Sequence, residues 1–258
     1  MNLEKYQQYS RIARGLEKAD LVLKDARIVN VFTEEIIRGD IAIQDGIIAG
    51  IGSFHGKEER DLAGRYVCPG FIDSHLHLES TLVTPAELVT AASRHGTTTF
   101  IVDPHESANV SGLAGVDYIL DQTENVKANV YVMMPSCVPA TAIDDNGCTL
   151  TAGDMAPYLH NSRILGLGEV MDSISVVQGE KSMHDKLELF EGRIRDGHAP
   201  FLEEGDLQAY AMAGIATDHE CSFFDYAMRE RRNGLTILVR EGSAARNLEA
   251  LVGGLVQR

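Results

Sequence analysis

The chain contains no tryptophan, and aromatic residues make up only 6% of it. Hydrophobic residues reach 44% of the 258, so a sizeable core is possible, but aliphatic side chains must fill it. Basic residues are scarce. Lys and Arg number 23 against 38 Asp and Glu, giving a formal net charge of −15 and a pI near 5.0. Such a surface repels a phosphate backbone or an anionic membrane, which argues against either as partner. Between Tyr66 and Ser162 two basic residues, Arg94 and Lys127, stand against eleven acidic ones. That imbalance suits divalent cations, although a solvated acidic surface is the simpler account.

Cys68, Cys137, Cys148 and Cys221 are scattered, with no Cys-x-x-Cys among them. A thiolate metal site or redox pair is therefore not expected, and a reducing cytoplasm is the expected compartment. No run approaches about 20 consecutive apolar residues, so no membrane span is expected. Residues 1–20 are polar and read as a helical leader without the apolar run of a signal peptide. No Gly-x-Gly-x-x-Gly follows an early strand, which weakens a dinucleotide-binding reading.

What is present is a small β module followed by a strand–helix alternation. Residues 21–68 read as short strands, with Asp45-Gly46 as a two-residue hairpin signal between apolar runs. From residue 69 to 258, seven strands are expected, near 71–77, 97–102, 130–134, 164–169, 193–198, 215–219 and 235–239. Helices are expected between several of them. Thr84-Pro85-Ala86-Glu87 reads as a capping box with proline at the first helical position, and Gly96 as the stop. This alternation implies a parallel sheet, as an open doubly wound sheet or as a (β/α)8 barrel short of its last unit.

The polar residues at the strand ends favour the barrel. The first strand runs into His75 and His77, whose side chains share one face of an extended chain. Later strands end at Asp103, His105 and Glu106, at Glu169, at His198, and at Asp218, His219 and Glu220. A barrel gathers all these ends on one rim. His75 and His77 can hold one cation, His198 and His219 a second, and Glu169 can bridge them. Two cations about 3.5–4 Å apart share a water and lower its pKa towards 7. Imidazole and carboxylate donors suit zinc, iron or manganese.

These motifs resemble the amidohydrolase superfamily and, within it, the bacterial adenine deaminase family. The resemblance is carried by Pro69–Ser80 (PGFIDSHLHLES), Asp103–Val110 (DPHESANV), Gly166–Asp172 (GLGEVMD), Asp196–Pro200 (DGHAP), Thr217–Glu220 (TDHE) and Arg240–Asn247 (REGSAARN). It implies an α/β fold, an incomplete (β/α)8 metal-dependent hydrolase barrel of about seven strands after a small β module. It implies hydrolytic deamination of adenine to hypoxanthine and ammonia, with a small-molecule purine as substrate. Two divalent cations follow, manganese or iron, with zinc open. His75, His77, Glu169, His198 and His219 become metal ligands, and Glu169 and His219 the catalytic residues. His105 and Glu106 become candidates for substrate contact or an outer shell.

Two departures stand out. Phe201-Leu202-Glu203-Glu204 is bulkier and more acidic than the family's small residues after DGHAP. The family also carries an aspartate on an eighth strand, and its members are about twice as long. The expectation is an N-terminal portion, poorly active alone, forming a homo-oligomer or using a C-terminal half supplied separately. Two other readings stay open: an amidohydrolase acting on a cyclic amide, and an inactive metal-binding remnant. The first commonly needs a lysine on the fourth strand, where this chain has Glu169 and no lysine from Val130 to Gly179.

Overall fold

The structure is a computed structural model and describes residues 1–141 and 143–256. The chain divides into two compact units, Met1–Gly70 and Phe71–Arg258.

The first unit opens with helix α1 (Leu3–Ala13), shorter than the leader expected over 1–20, because strand β1 (Ala19–Asn30) already begins at Ala19. Strands β2 (Glu35–Gln44), β3 (Ile47–Gly52), β4 (Gly56–Asp61) and β5 (Tyr66–Val67) follow. The sheet order is β3-β2-β1-β4, with β5 paired to β1. Asp45 and Gly46 both take positive φ, at 52° and 75°, as a tight hairpin between β2 and β3 demands. Ile12 of α1 is buried with Ala19, Val22, Ala42 and Phe54, so this helix is part of the module's core.

The second unit begins with β6 (Phe71–Leu76), α2 (Pro85–Ser93), β7 (Thr97–Val102), α3 (His105–Ser111), α4 (Leu113–Gln122) and β8 (Asn129–Met134). It continues with α5 (Ala152–Met155), β9 (Ile164–Val170), α6 (Ser173–Gln178), α7 (Lys181–Leu189), β10 (Ile194–Gly197), α8 (Glu204–Met212), β11 (Thr217–Asp218), α9 (Phe224–Arg232), β12 (Thr236–Ile237) and α10 (Leu248–Val256). Proline opens α2, but the Thr84 side chain makes no capping bond. The expected capping box is therefore absent. Gly96, at φ 100°, does turn the chain after this helix.

Among the described residues this unit has seven strands, in two groups. Five form a parallel sheet in the order β10-β9-β8-β7-β6, and β11 pairs with β12 separately. The backbone N–H of Ala216 donates to Arg195 O at 2.9 Å, carrying the strand order across that seam. The second unit is thus an incomplete (β/α)8 barrel, and the first a small β module. The core is aliphatic, as the composition requires: Val102, Val132, Met134, Leu167 and Val170 are all fully buried beneath the helices. Glycine is needed where strands crowd. A Cβ on Gly166 would lie 2.1 Å from Ile194 O, and one on Gly168 would lie 2.4 Å from Asp103 Oδ2.

Candidate metal centre

The C-terminal ends of the barrel strands converge on Glu169, at the end of β9 and 3% exposed. Its Oε1 lies 2.7 Å from His75 Nε2, 3.0 Å from His77 Nε2 and 3.4 Å from His219 Nε2. Its Oε2 lies 3.2 Å from His198 Nδ1. The Nε2 atoms of His75 and His77 are 3.2 Å apart, and the His75 and His219 rings stack at 3.9 Å. All five ligands expected from the sequence thus meet at one place. Glu169 Oε1 and His198 Nδ1 are buried without a hydrogen bond, in spite of these short approaches. Two buried polar atoms left unbonded in so tight a group point to a missing partner, and four imidazoles with one carboxylate fit divalent cations.

Surrounding groups fix the orientation of these side chains. His75 Nδ1 lies 2.9 Å from Asp196 Oδ2, and His77 Nδ1 lies 2.8 Å from the carbonyl of Asp103. Each bond occupies one ring nitrogen and aims the other at Glu169. Asp103 Oδ2 accepts the Glu169 backbone N–H at 2.7 Å. Burial opposes protonation of His75, yet Asp196 and Glu169 outweigh it and push the ring up to about 10. His77 is likewise pushed up to about 9, with Glu169 as the main counterweight to burial. Burial and the neighbouring His75 instead hold His219 down. Burial alone would raise Glu169, but the contacts with His198, His75 and His77 hold it well below the usual carboxylate range. The carboxylate is therefore anionic, and a cation bound beside it would take the place of the protons that His75 and His77 otherwise hold.

A cavity of about 760 Å³ opens over these residues. His105 and Glu106 line it, together with Met171, Glu220, Leu238 and Arg240. His105 and Glu106 occupy the first turn of α3, beginning directly after Pro104. The Nδ1 of His105 faces Asp103 Oδ1 at 3.6 Å, and its ring meets His77 edge-on at 4.6 Å. Glu106 Oε2 accepts the Ser80 hydroxyl at 2.7 Å.

The profile of the family described as "Amidohydrolase family" matches residues 66–247. The chain belongs to the amidohydrolase family. An adenine deaminase of Desulfitobacterium hafniense (strain Y51) is 57% identical over 255 residues, covering 99% of this chain and 45% of that protein. An adenine deaminase of Clostridium acetobutylicum is 49% identical over 245 residues, covering 94% of this chain and 43% of that protein. The chain spans a little under half the length of these curated relatives. Among solved structures, the zinc-complexed N-acyl-D-glutamate deacylase of Bordetella bronchiseptica superposes with a TM-score of 0.57 at 16% identity, covering 86% of this chain and 58% of that one. At that identity the likeness shows the fold.

Within this amidohydrolase, three site residues have roles that their motifs alone do not disclose. Asp196 sits two positions before His198 in the DGH run, and β10 brings it beside His75 on a different strand. Arg240 grips Glu220 with two bonds, of 2.5 and 3.1 Å. Glu220 Oε1 in turn lies 3.4 Å from His219 Nε2. The bulky run after DGHAP also has a visible consequence. Phe201 takes φ 57°, a conformation that favours glycine, and its exposed ring leans on Phe223 and Tyr226 at 5.9 and 5.7 Å.

Proposed function

We propose that this chain carries the metal-binding portion of an adenine deaminase, which hydrolyses adenine to hypoxanthine and ammonia. The convergence of His75, His77, His198 and His219 on the buried Glu169 carboxylate carries the reading. The relatives named adenine deaminase, at 57% and 49% identity, support the substrate.

Two divalent cations are assigned, manganese or iron, with zinc also compatible with the donors. His75 and His77 would hold one and His198 and His219 the other, with the Glu169 carboxylate between them. When bound, the cations supply a water activated for attack at neutral pH. The remaining work falls to the chain. Asp196 and the Asp103 carbonyl keep His75 and His77 in register. Glu169 and His219, lining the cavity floor, are the catalytic residues because the reacting carbon must come to them. His105 and Glu106 contact the purine from the cavity wall, while Met171 and Leu238 offer apolar surface to the flat ring. In the net reaction, water adds to the carbon bearing the amino group, the C–N bond breaks, and ammonia leaves with the transferred proton. The substrate is a small purine, and the excess of acidic residues gives no surface for nucleic acid or an anionic membrane. No helix among the described residues is long and apolar enough to cross a membrane, and the cytoplasm is the compartment proposed. A homo-oligomer, or a further chain supplying the relatives' second half, completes the proposal.

The test is spectrophotometric. Chain loaded with manganese, and provided with the second half of the Desulfitobacterium relative, is expected to convert adenine to hypoxanthine and to leave cyclic amides intact. Hydrolysis of a cyclic amide without adenine turnover would transfer the chain to the other amidohydrolase reading.

A further inference from the structure

A second buried cluster lies behind the metal ligands. Asp218 is fully buried at the end of β11. Its Oδ1 accepts the backbone N–H of Ala199 at 2.7 Å, and its Oδ2 accepts those of Glu220 at 2.8 Å and Cys221 at 3.0 Å. One carboxylate thereby joins the turn after His198 to the turn that contains His219 and Glu220. Glu230, on α9, is equally buried. Polar atoms of Asp218, Cys221 and Glu230 all lie within 4.8 Å of one another. No N–H or O–H among the described residues donates to either Glu230 oxygen, the Cys221 thiol being the neighbouring donor, and no cation among them forms an ion pair with it.

The neighbouring groups are otherwise engaged. Arg229 reaches Glu204 and the carbonyl of Leu202, both at 3.2 Å. Arg231 donates to Leu235 O at 3.1 Å. The Tyr226 hydroxyl donates to Ala199 O at 2.5 Å. Two carboxyls this close, without a cation, do not both ionise. Asp218 accepts three backbone N–H bonds, and Glu230 accepts none.

We propose that Glu230 is a positioning residue that keeps its proton in the folded chain and donates it to Asp218, tying together the two strand ends that present His198 and His219. Burial, and then the Asp218 charge, push the Glu230 carboxyl up to about 9, in keeping with that state. The effect on cations rests on the metal reading above; the proton on Glu230 does not.

Two substitutions separate the possibilities. Glu230→Gln keeps the shape and a neutral donor, whereas Glu230→Leu removes the donor. Manganese affinity is measured on folded protein, with circular dichroism as the check. Glu230→Gln is expected to stay near wild type, and Glu230→Leu to bind manganese about 10–100-fold more weakly, as for the loss of a group that orients ligands. Equal weakening of both variants would mean that the charge matters, and no change in either would mean that Glu230 has no role. Loss of one bound cation in Glu230→Gln alone would make the cluster a metal site instead. Infrared spectroscopy decides the proton even if Glu230→Leu does not fold or the wild-type chain takes up no manganese. A protonated carboxylic acid band at neutral pH, lost in Glu230→Gln, is expected, and its absence from wild type would overturn the proposal.

Discussion

Glu169 is buried and anionic, a state that burial alone disfavours strongly. What permits it is the ring of imidazoles and the Asp103 carboxylate that fixes its backbone. Glu169→Ala leaves four histidines without an anion to bridge the cations. That variant is expected to lose most of its bound metal, read by plasma emission after dialysis. Unchanged metal content would remove Glu169 from the ligand set. Asp103→Ala acts one step further out. It leaves the buried Glu169 N–H without an acceptor, at a cost of about 1–3 kcal/mol. A urea melt is expected to shift accordingly, while Asp103→Asn, which keeps an acceptor oxygen, recovers most of the loss. Equal melts for wild type and Asp103→Ala would show that this bond carries no weight.

At the scale of elements, close strand packing leaves no room for side chains at chosen points. Gly166→Ala puts a methyl group 2.1 Å from the Ile194 carbonyl, so β10 must move away from β9. The expected cost is about 1–3 kcal/mol in denaturant unfolding, and the displaced strand is the one that carries Asp196 towards His75. Helix α9 gives a pH-dependent prediction. Glu230 ionises near 4.5 when exposed, and near 9 in the fold. Its stabilising effect is complete below the lower value and is lost as pH rises through the upper one. Stability measured from pH 5 to 9 is thus expected to fall less steeply in Glu230→Gln than in wild type. Parallel slopes would mean that Glu230 is ionised throughout. These elements also show what could be read from the sequence. β6 to β9 are legible because each is a short β-branched or apolar run; β6 and β9 lead to His75, His77 and Glu169, while the candidate ligands His198 and His219 follow the shorter strands β10 and β11. β11 and β12 have two residues each, so their separation from the main sheet depends on tertiary packing that no local pattern records. Asp196 is hidden for the same reason: its partner His75 is 121 positions away. Glu230 gives no local signal because, in an Arg-rich helix, it reads as a solvated charge.

For the whole molecule, the edge strands govern association. Among the described residues β6 pairs only with β7, and β12 only with β11. Phe71 and Ile72, on β6, are 60% and 63% exposed. An unpaired strand with apolar side chains is a template for association. Relatives named adenine deaminase carry more than half of their length outside the matched region. A polypeptide equivalent to the remainder of the Desulfitobacterium relative is therefore expected to bind this chain. The complex should release ammonia from adenine in the presence of manganese, and the chain alone should self-associate and turn over slowly. Light scattering coupled to size exclusion reports the association, and an ammonia assay reports the activity. A monodisperse chain that deaminates adenine as fast alone as in the mixture would show that the metal centre needs nothing beyond these 258 residues. Failure of the mixture to deaminate, with two cations bound, would instead place the fault in the assignment of adenine as substrate.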